Sequence, residues 1–112
     1  MKGTYLGEFE EIVLLVVATL EGEAYGLAVL EEIEKRSKRN VNLSAVHSSL
    51  HRLENKGFLK SSKGEATPIR GGKRKKLYEI TSFGVKALSD ARTLREGLWA
   101  SISDVVLEKG NL

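Results

Sequence analysis

Apolar residues recur at helical spacing through the first half of the chain. In residues 8–20, EFEEIVLLVVATL, the positions Phe9, Ile12, Val13, Val16, Val17 and Leu20 nearly ring a helix. Such a ring predicts burial on two sides, one against the domain core and one against a partner. Glu8, Glu10 and Glu11 fall in the first turn, where the macrodipole favours anions, and Gly22 follows the end. A second helix is predicted over residues 25–37, YGLAVLEEIEKRS, with Leu27, Leu30 and Ile33 as its buried stripe. Lys35, Arg36, Lys38 and Arg39 suit its C-terminal end. Residues 41–43, VNL, suit a short extended pairing. Ser44 is placed to cap a third helix over 45–56, where Val46, Leu50 and Leu53 share one face. Gly57 fits the left-handed position that ends it.

The period then changes. Residues 58–62, FLKSS, and 77–80, LYEI, read as strands. Between them, residues 63–76, KGEATPIRGGKRKK, hold the sole Pro and much charge, too polar for a core, and form a hairpin tip. Gly71 and Gly72 supply positive φ for the turn; they open no helix and so make no nucleotide loop. Thr81 caps a last helix from Ser82 to about Lys109, bent at Gly97, with Leu88, Ala91, Leu94, Leu98, Ile102 and Val105 at spacings of three and four. A helix of about 28 residues is some 40 Å long. A domain this small cannot cover it, so its far end is expected to bury apolar residues against a second copy of the chain.

The fold class is therefore mainly α with a small β-hairpin: a winged helix-turn-helix plus a long C-terminal dimerisation helix. Residues 1–81 form the DNA-binding unit, with the wing at 58–80, and residues 82–112 the dimerisation helix of the same compact body. The third helix is expected in the major groove and the hairpin on the backbone or minor groove. With Val46, Leu50 and Leu53 inward, the outer face presents Ser44, Ser48, His51, Arg52 and Asn55. Arg and Asn can read base edges, and hydroxyls and His can hold phosphates. Glu54 sits at the flank.

Charge sharpens this picture. The net charge is only +3 over 112 residues. Residues 1–34 carry one Lys against eight Glu, whereas residues 35–56 carry six basic residues against one acidic. Residues 60–76 carry seven against one, so a modest total hides an acidic end beside a basic middle. Cysteine is absent, which excludes disulfides, thiolate metal sites and cysteine nucleophiles. His47 and His51 stand at i, i+4 but lack a third metal ligand, and no catalytic set can be placed. No cofactor is expected. The apolar run from Ile12 to Leu20 is too short to span a bilayer, and no signal peptide is read, so a cytoplasmic, nucleoid-associated place is expected.

Four stretches together resemble the PadR family of transcriptional regulators, especially its short members with a single C-terminal helix. They are LGEFEEIVLLVV, EAYGLAVLEEIE, LSAVHSSLHRLENKGFL and GEATPIRGGKRKKLYEIT, with the glycine at 84. The resemblance runs from Leu6 to about Leu88. It implies a homodimeric repressor on a near-palindromic double-stranded DNA operator, with the first and last helices at the dimer interface. His47 stands where the family usually has Tyr, in a position expected to contact the DNA backbone. Candidate DNA contacts are Ser44, His47, Ser48, His51, Arg52, Arg70, Lys73, Arg74 and Lys75, with Lys76 at the border of the strand. Arg52 has two readings, a base reader or a partner of Glu8, Glu10 or Glu11. Tyr25 and Tyr78 are core residues by default. Leu94, Leu98, Trp99 and Ile102 mark the dimer interface or an effector pocket. There, paired copies of Trp99 would sandwich a small aromatic or hydrophobic effector, as the family's ligands imply. The rival from another class is a winged-helix module that binds protein rather than DNA. An apolar or acidic outer face on the third helix would mark it, and none is present.

Overall fold

The computed structural model describes residues 5–66 and 74–111. Its elements follow the predicted order: α1 (Glu8–Thr19), α2 (Gly26–Ser37), α3 (Leu43–Asn55), β1 (Leu59–Ala66), β2 (Arg74–Ile80), α4 (Ser82–Ala100) and a short α5 (Asp104–Glu108). The three N-terminal helices pack on one another, and the β1–β2 hairpin closes one side of the bundle. This is a winged helix.

The core is built from one face of each helix. Val13, Leu14, Val16 and Val17 of α1 meet Val29 and Ile33 of α2 and Val46, Leu50 and Leu53 of α3. Phe58, Leu59 and Tyr78 seal it from the hairpin side. Each fully buried Leu or Val adds on the order of 1.5–3 kcal/mol over an exposed one. The predicted face of α3 is therefore the observed one, and Tyr78 is a core residue as expected. On α2 the stripe is rotated. Leu30 is half-buried as expected, but Leu27 stands exposed, and Val29 joins Ile33 in the core. Gly26 turns inward beneath the His47 ring, which fixes the helix in that rotation.

Local rules set most boundaries. Gly57 has φ of +83° and stops α3 as expected. The cap of α3 is Asn42, not Ser44: the Asn42 side chain accepts from the Ser44 backbone N–H at 2.8 Å. The helix thus begins at Leu43, and residues 41–43 form no extended pairing. The Val41 N–H goes instead to the Glu34 carboxylate at 3.0 Å. Both strands outrun their predicted ends, to Ala66 and from Arg74. The ladder pairs Leu59 with Ile80, Ser61 with Tyr78 and Lys63 with Lys76, and becomes irregular between Lys63 and Ala66. The long final helix is also revised. It breaks at residues 101–103 rather than bending at Gly97, which lies inside α4 with open space around it. The Ser101 hydroxyl donates to the Gly97 carbonyl at 2.9 Å, and Ser103 caps α5. Serine side chains here compete with the helical ladder and end it.

α4 leaves the core from a constrained joint. The Thr81 side chain donates to the Gly57 carbonyl at 2.6 Å and accepts from the Gly84 N–H at 3.1 Å. Gly84 is buried, and a Cβ there would stand 2.3 Å from the Phe58 carbonyl oxygen. From this joint α4 runs outward, and from Arg92 to Ala100 every residue is exposed. The radius of gyration is 16.8 Å, against about 13 Å for a compact chain of this length. Replacing Gly84 with Ala is expected to cost about 1–3 kcal/mol through backbone displacement. Thermal unfolding should show Tm lowered by about 5 °C or more; an unchanged Tm would mean that the joint is slack.

Candidate nucleic-acid interface

α3 presents Ser44, His47, Ser48, His51, Arg52 and Asn55 to solvent, all exposed. They cover the side opposite Val46, Leu50 and Leu53, so one helix separates core and interface by its own period. The Ser44 hydroxyl is already committed, donating to the Asn42 side chain at 2.5 Å. His47 lies over Gly26, where an added Cβ would come within 2.5 Å of the ring. The glycine thereby lets the first turn of α2 approach the recognition helix closely.

Arg52 meets one of the carboxylates offered for it. Its Nε donates to Glu10 at 3.0 Å and its Nη2 to the Ser49 hydroxyl at 3.2 Å. The side chain stays about half exposed, so the guanidinium is aimed from behind while its remaining N–H groups face outward. Glu10 is buried and also accepts from Lys56 Nζ at 2.8 Å and the Gly7 N–H at 3.1 Å. Burial pushes its pKa upward. The bonds from Lys56, the Gly7 amide and Arg52 outweigh that and hold the carboxyl below the usual range.

The wing brings further cations to the same side. Lys75 Nζ lies 5.5 Å from the Tyr25 ring centre, and Lys76 Nζ lies 5.7 Å from that of Tyr78. Tyr25 bridges Leu77 and so joins the start of α2 to the wing. A groove of about 650 Å³ runs between them, lined by Tyr25, Gly26, Leu43, His47, Lys75 and Lys76 among others. Tyr25 offers no capping side chain to the first turn of α2, whose Gly26, Leu27 and Ala28 line this groove. Arg70 and Lys73 lie outside the described residues, as does the side chain of Arg74. Among the described residues no cluster of His, Cys, Asp or Glu could hold a metal ion.

A family model for the PadR-like transcriptional regulators matches residues 13–90. The chain belongs to this family. Solved structures share the fold. A PadR-like transcription factor from Bacteroides fragilis superposes with a TM-score of 0.71 at 22% identity, covering 83% of this chain and 84% of that one. A PadR family transcriptional regulator from Eggerthella lenta gives 0.68 at 23% identity, covering 88% and 86%. The RosR protein of H. salinarum gives 0.64 at 26% identity, covering 88% and 82%. No curated protein sequence matches at significance.

The PadR-like chain carries a second surface away from α3. Leu94, Leu98 and Trp99 are each more than 60% exposed, and Ile102 is half-buried. Leu15 of α1 and Val85 of α4 are exposed as well. A cavity of about 420 Å³ lies between α1 and α4, with Leu15, Val85, Leu88 and Trp99 on its walls and Arg92 and Arg95 at its rim. Arg95 is tied to Glu11 at 2.7 Å, which fastens α4 to the first turn of α1. No helix among the described residues is long and apolar enough to cross a membrane.

Sequence reasoning named the α3 face and offered Glu10 among the partners of Arg52, but it did not name Lys56, Ser49 or the Asn42 cap. The i, i+4 spacing of Arg52 and Lys56 was the available sign that both serve one acidic partner. The acid response follows from Glu10. Its folded pKa lies below its unfolded value, so its stabilisation is complete above about pH 4.3 and is lost as pH falls through the folded value. Glu10→Gln should lower stability at pH 6 and make the acid limb shallower, so that the two proteins converge near pH 3. Parallel Tm-against-pH curves would contradict this.

Proposed function

We propose that this PadR-like protein is a homodimeric repressor that binds a near-palindromic double-stranded DNA operator. The observation that carries the reading is the polar, carboxylate-free outer face of α3 beside a lysine-bearing wing, in a chain of this family. α3 enters the major groove, where Arg52 and Asn55 face base edges and Ser48, His47 and His51 reach phosphates. Residues 1–81 do this work, and the wing grips the backbone through Arg70, Lys73, Arg74 and Lys75. One phosphate sits at the first turn of α2 between His47 and Lys75.

Residues 82–112 form the dimerisation element. The exposed Leu94, Leu98 and Trp99 support this part, since three large apolar residues on one projecting helix need a cover. A second copy related by a two-fold axis would supply it, and would set two α3 helices about one turn of DNA apart. Facing Trp99 side chains would then offer flat walls to a planar aromatic effector that relieves repression.

Two experiments test this reading. Replacing Lys73, Arg74 and Lys75 together with Ala should weaken binding to every duplex sequence. It should also flatten the plot of log affinity against log salt by about two to three units. Affinity and slope equal to wild type would remove the wing from the interface. Replacing Leu98 with Lys should shift the sedimentation equilibrium from dimer toward monomer while the helical content stays. A variant that sediments as wild type would place the contact between copies elsewhere.

A further inference from the structure

Glu54 occupies a place that two general rules disfavour. It lies in the last turn of α3, where the negative end of the helix dipole opposes a carboxylate. It also flanks the face that meets a polyanion in the reading above. Its partners explain its presence. The Ser61 hydroxyl on β1 donates to Glu54 Oε2 at 2.5 Å, and Lys76 Nζ on β2 donates to Oε1 at 3.5 Å. One carboxylate therefore takes a donor from each strand of the wing. Among the described residues these are the only side-chain hydrogen bonds that join α3 to the hairpin.

The charge arrangement adds a second observation. Lys76 stands directly opposite Lys63 in the ladder, a like-charged cross-strand pair that is unfavourable in the free protein. Glu54 offsets it, and with the Tyr78 ring it holds Lys76 back against the body of the protein. The Ser61 bond, opposed by burial and aided by Lys76 and His51, holds the Glu54 carboxyl below the usual range, so the charge is present at neutral pH.

We propose that Glu54 is a positioning residue for sequence reading: it locks the wing to the recognition helix at a fixed separation and withholds Lys76 from indiscriminate phosphate contact. This rests on the DNA-binding reading above. With the joint intact, α3 and the wing engage one duplex as a rigid pair, and a site that misfits one of them cannot recruit the other. With the joint loosened, each part finds phosphates independently and Lys76 becomes an extra non-specific cation.

Binding of a random-sequence duplex and of an operator selected from a random pool separates these roles. Glu54→Gln keeps an oxygen for Ser61 and removes the charge. It should tighten random-duplex binding about 3–10-fold at low salt and steepen the salt slope by about one unit, as one more phosphate contact requires. Operator binding should gain less, so the ratio of operator to random affinity falls. Ser61→Ala keeps the charge and removes the β1 tether. It should leave the random-duplex slope unchanged while operator affinity drops several-fold. Wild-type slope and ratio in Glu54→Gln would overturn the proposal, as would a fall in both affinities together with Tm. If the wild-type protein binds no duplex, the DNA-binding reading itself fails, an outcome distinct from the other two.

Discussion

The arrangement of the helices depends on the carboxylate of Glu10. It is buried in the first turn of α1 and takes donors from Gly7, Arg52 and Lys56, so it stitches the start of the bundle to the recognition helix. Lys56 extends the stitch by donating to the Tyr5 carbonyl. A buried ion pair of this kind is weak evidence for stability, because desolvation consumes most of the attraction. Its value is geometric. An unpaired charge at that depth would be costly, so alternative packings of α1 on α3 are disfavoured and one remains. The neighbouring Glu11 points the other way, to Arg95 on α4. Two consecutive residues thus connect α1 to α3 on one side and to the projecting arm on the other.

What was legible in the sequence followed from short-range physics. The inward face of α3, the left-handed Gly57 and the Thr81 cap each need only a few adjacent residues to be recognised, and each stands as expected. The misreadings occurred where distant parts decide. Leu27 and Val29 are both good helix-face residues; which one is buried depends on Gly26 meeting a ring from another helix. The cap of α3 passed from Ser44 to Asn42 because the preceding chain is held to Glu34, seven residues earlier. For Arg52 the sequence offered a base contact or one of three carboxylates, Glu8, Glu10 or Glu11; which carboxylate it meets, Glu10, 42 residues away, is decided by the packing of α1 on α3. The end of α4 was missed because a long apolar period hides two serines that compete for backbone groups. For the candidate interface, the residue types on α3 could be named from the sequence alone. How they are supported from behind could not.

The small net charge also acquires a physical meaning. Acidic residues of α1 and α2 are largely spent on internal partners: Glu8 on Arg39, Glu10 on Arg52 and Lys56, Glu11 on Arg95, and Glu32 on Arg36. Most of these pairs are exposed and individually weak. Collectively they neutralise cations on the body of the protein; on the wing Lys60 and Lys76 have carboxylate partners in Glu79 and Glu54, and among the described residues Lys63 and Lys75 have none. Lys75 and Lys76 rest on tyrosine rings rather than extending freely, so little rotamer entropy remains to be lost when they meet an anion.

The joint at Gly84 acts as the pivot of a lever. α4 extends 16 residues beyond it, about 24 Å, so a tilt of 5° at the pivot displaces the far end by about 2 Å. The backbone contact with Phe58 leaves no slack for such a tilt to start at the glycine itself. Angular precision at one residue therefore becomes positional precision at Trp99. Conversely, a small push at the end of the arm arrives at the base of the wing with mechanical advantage, at the carbonyl of the residue where α3 hands over to β1.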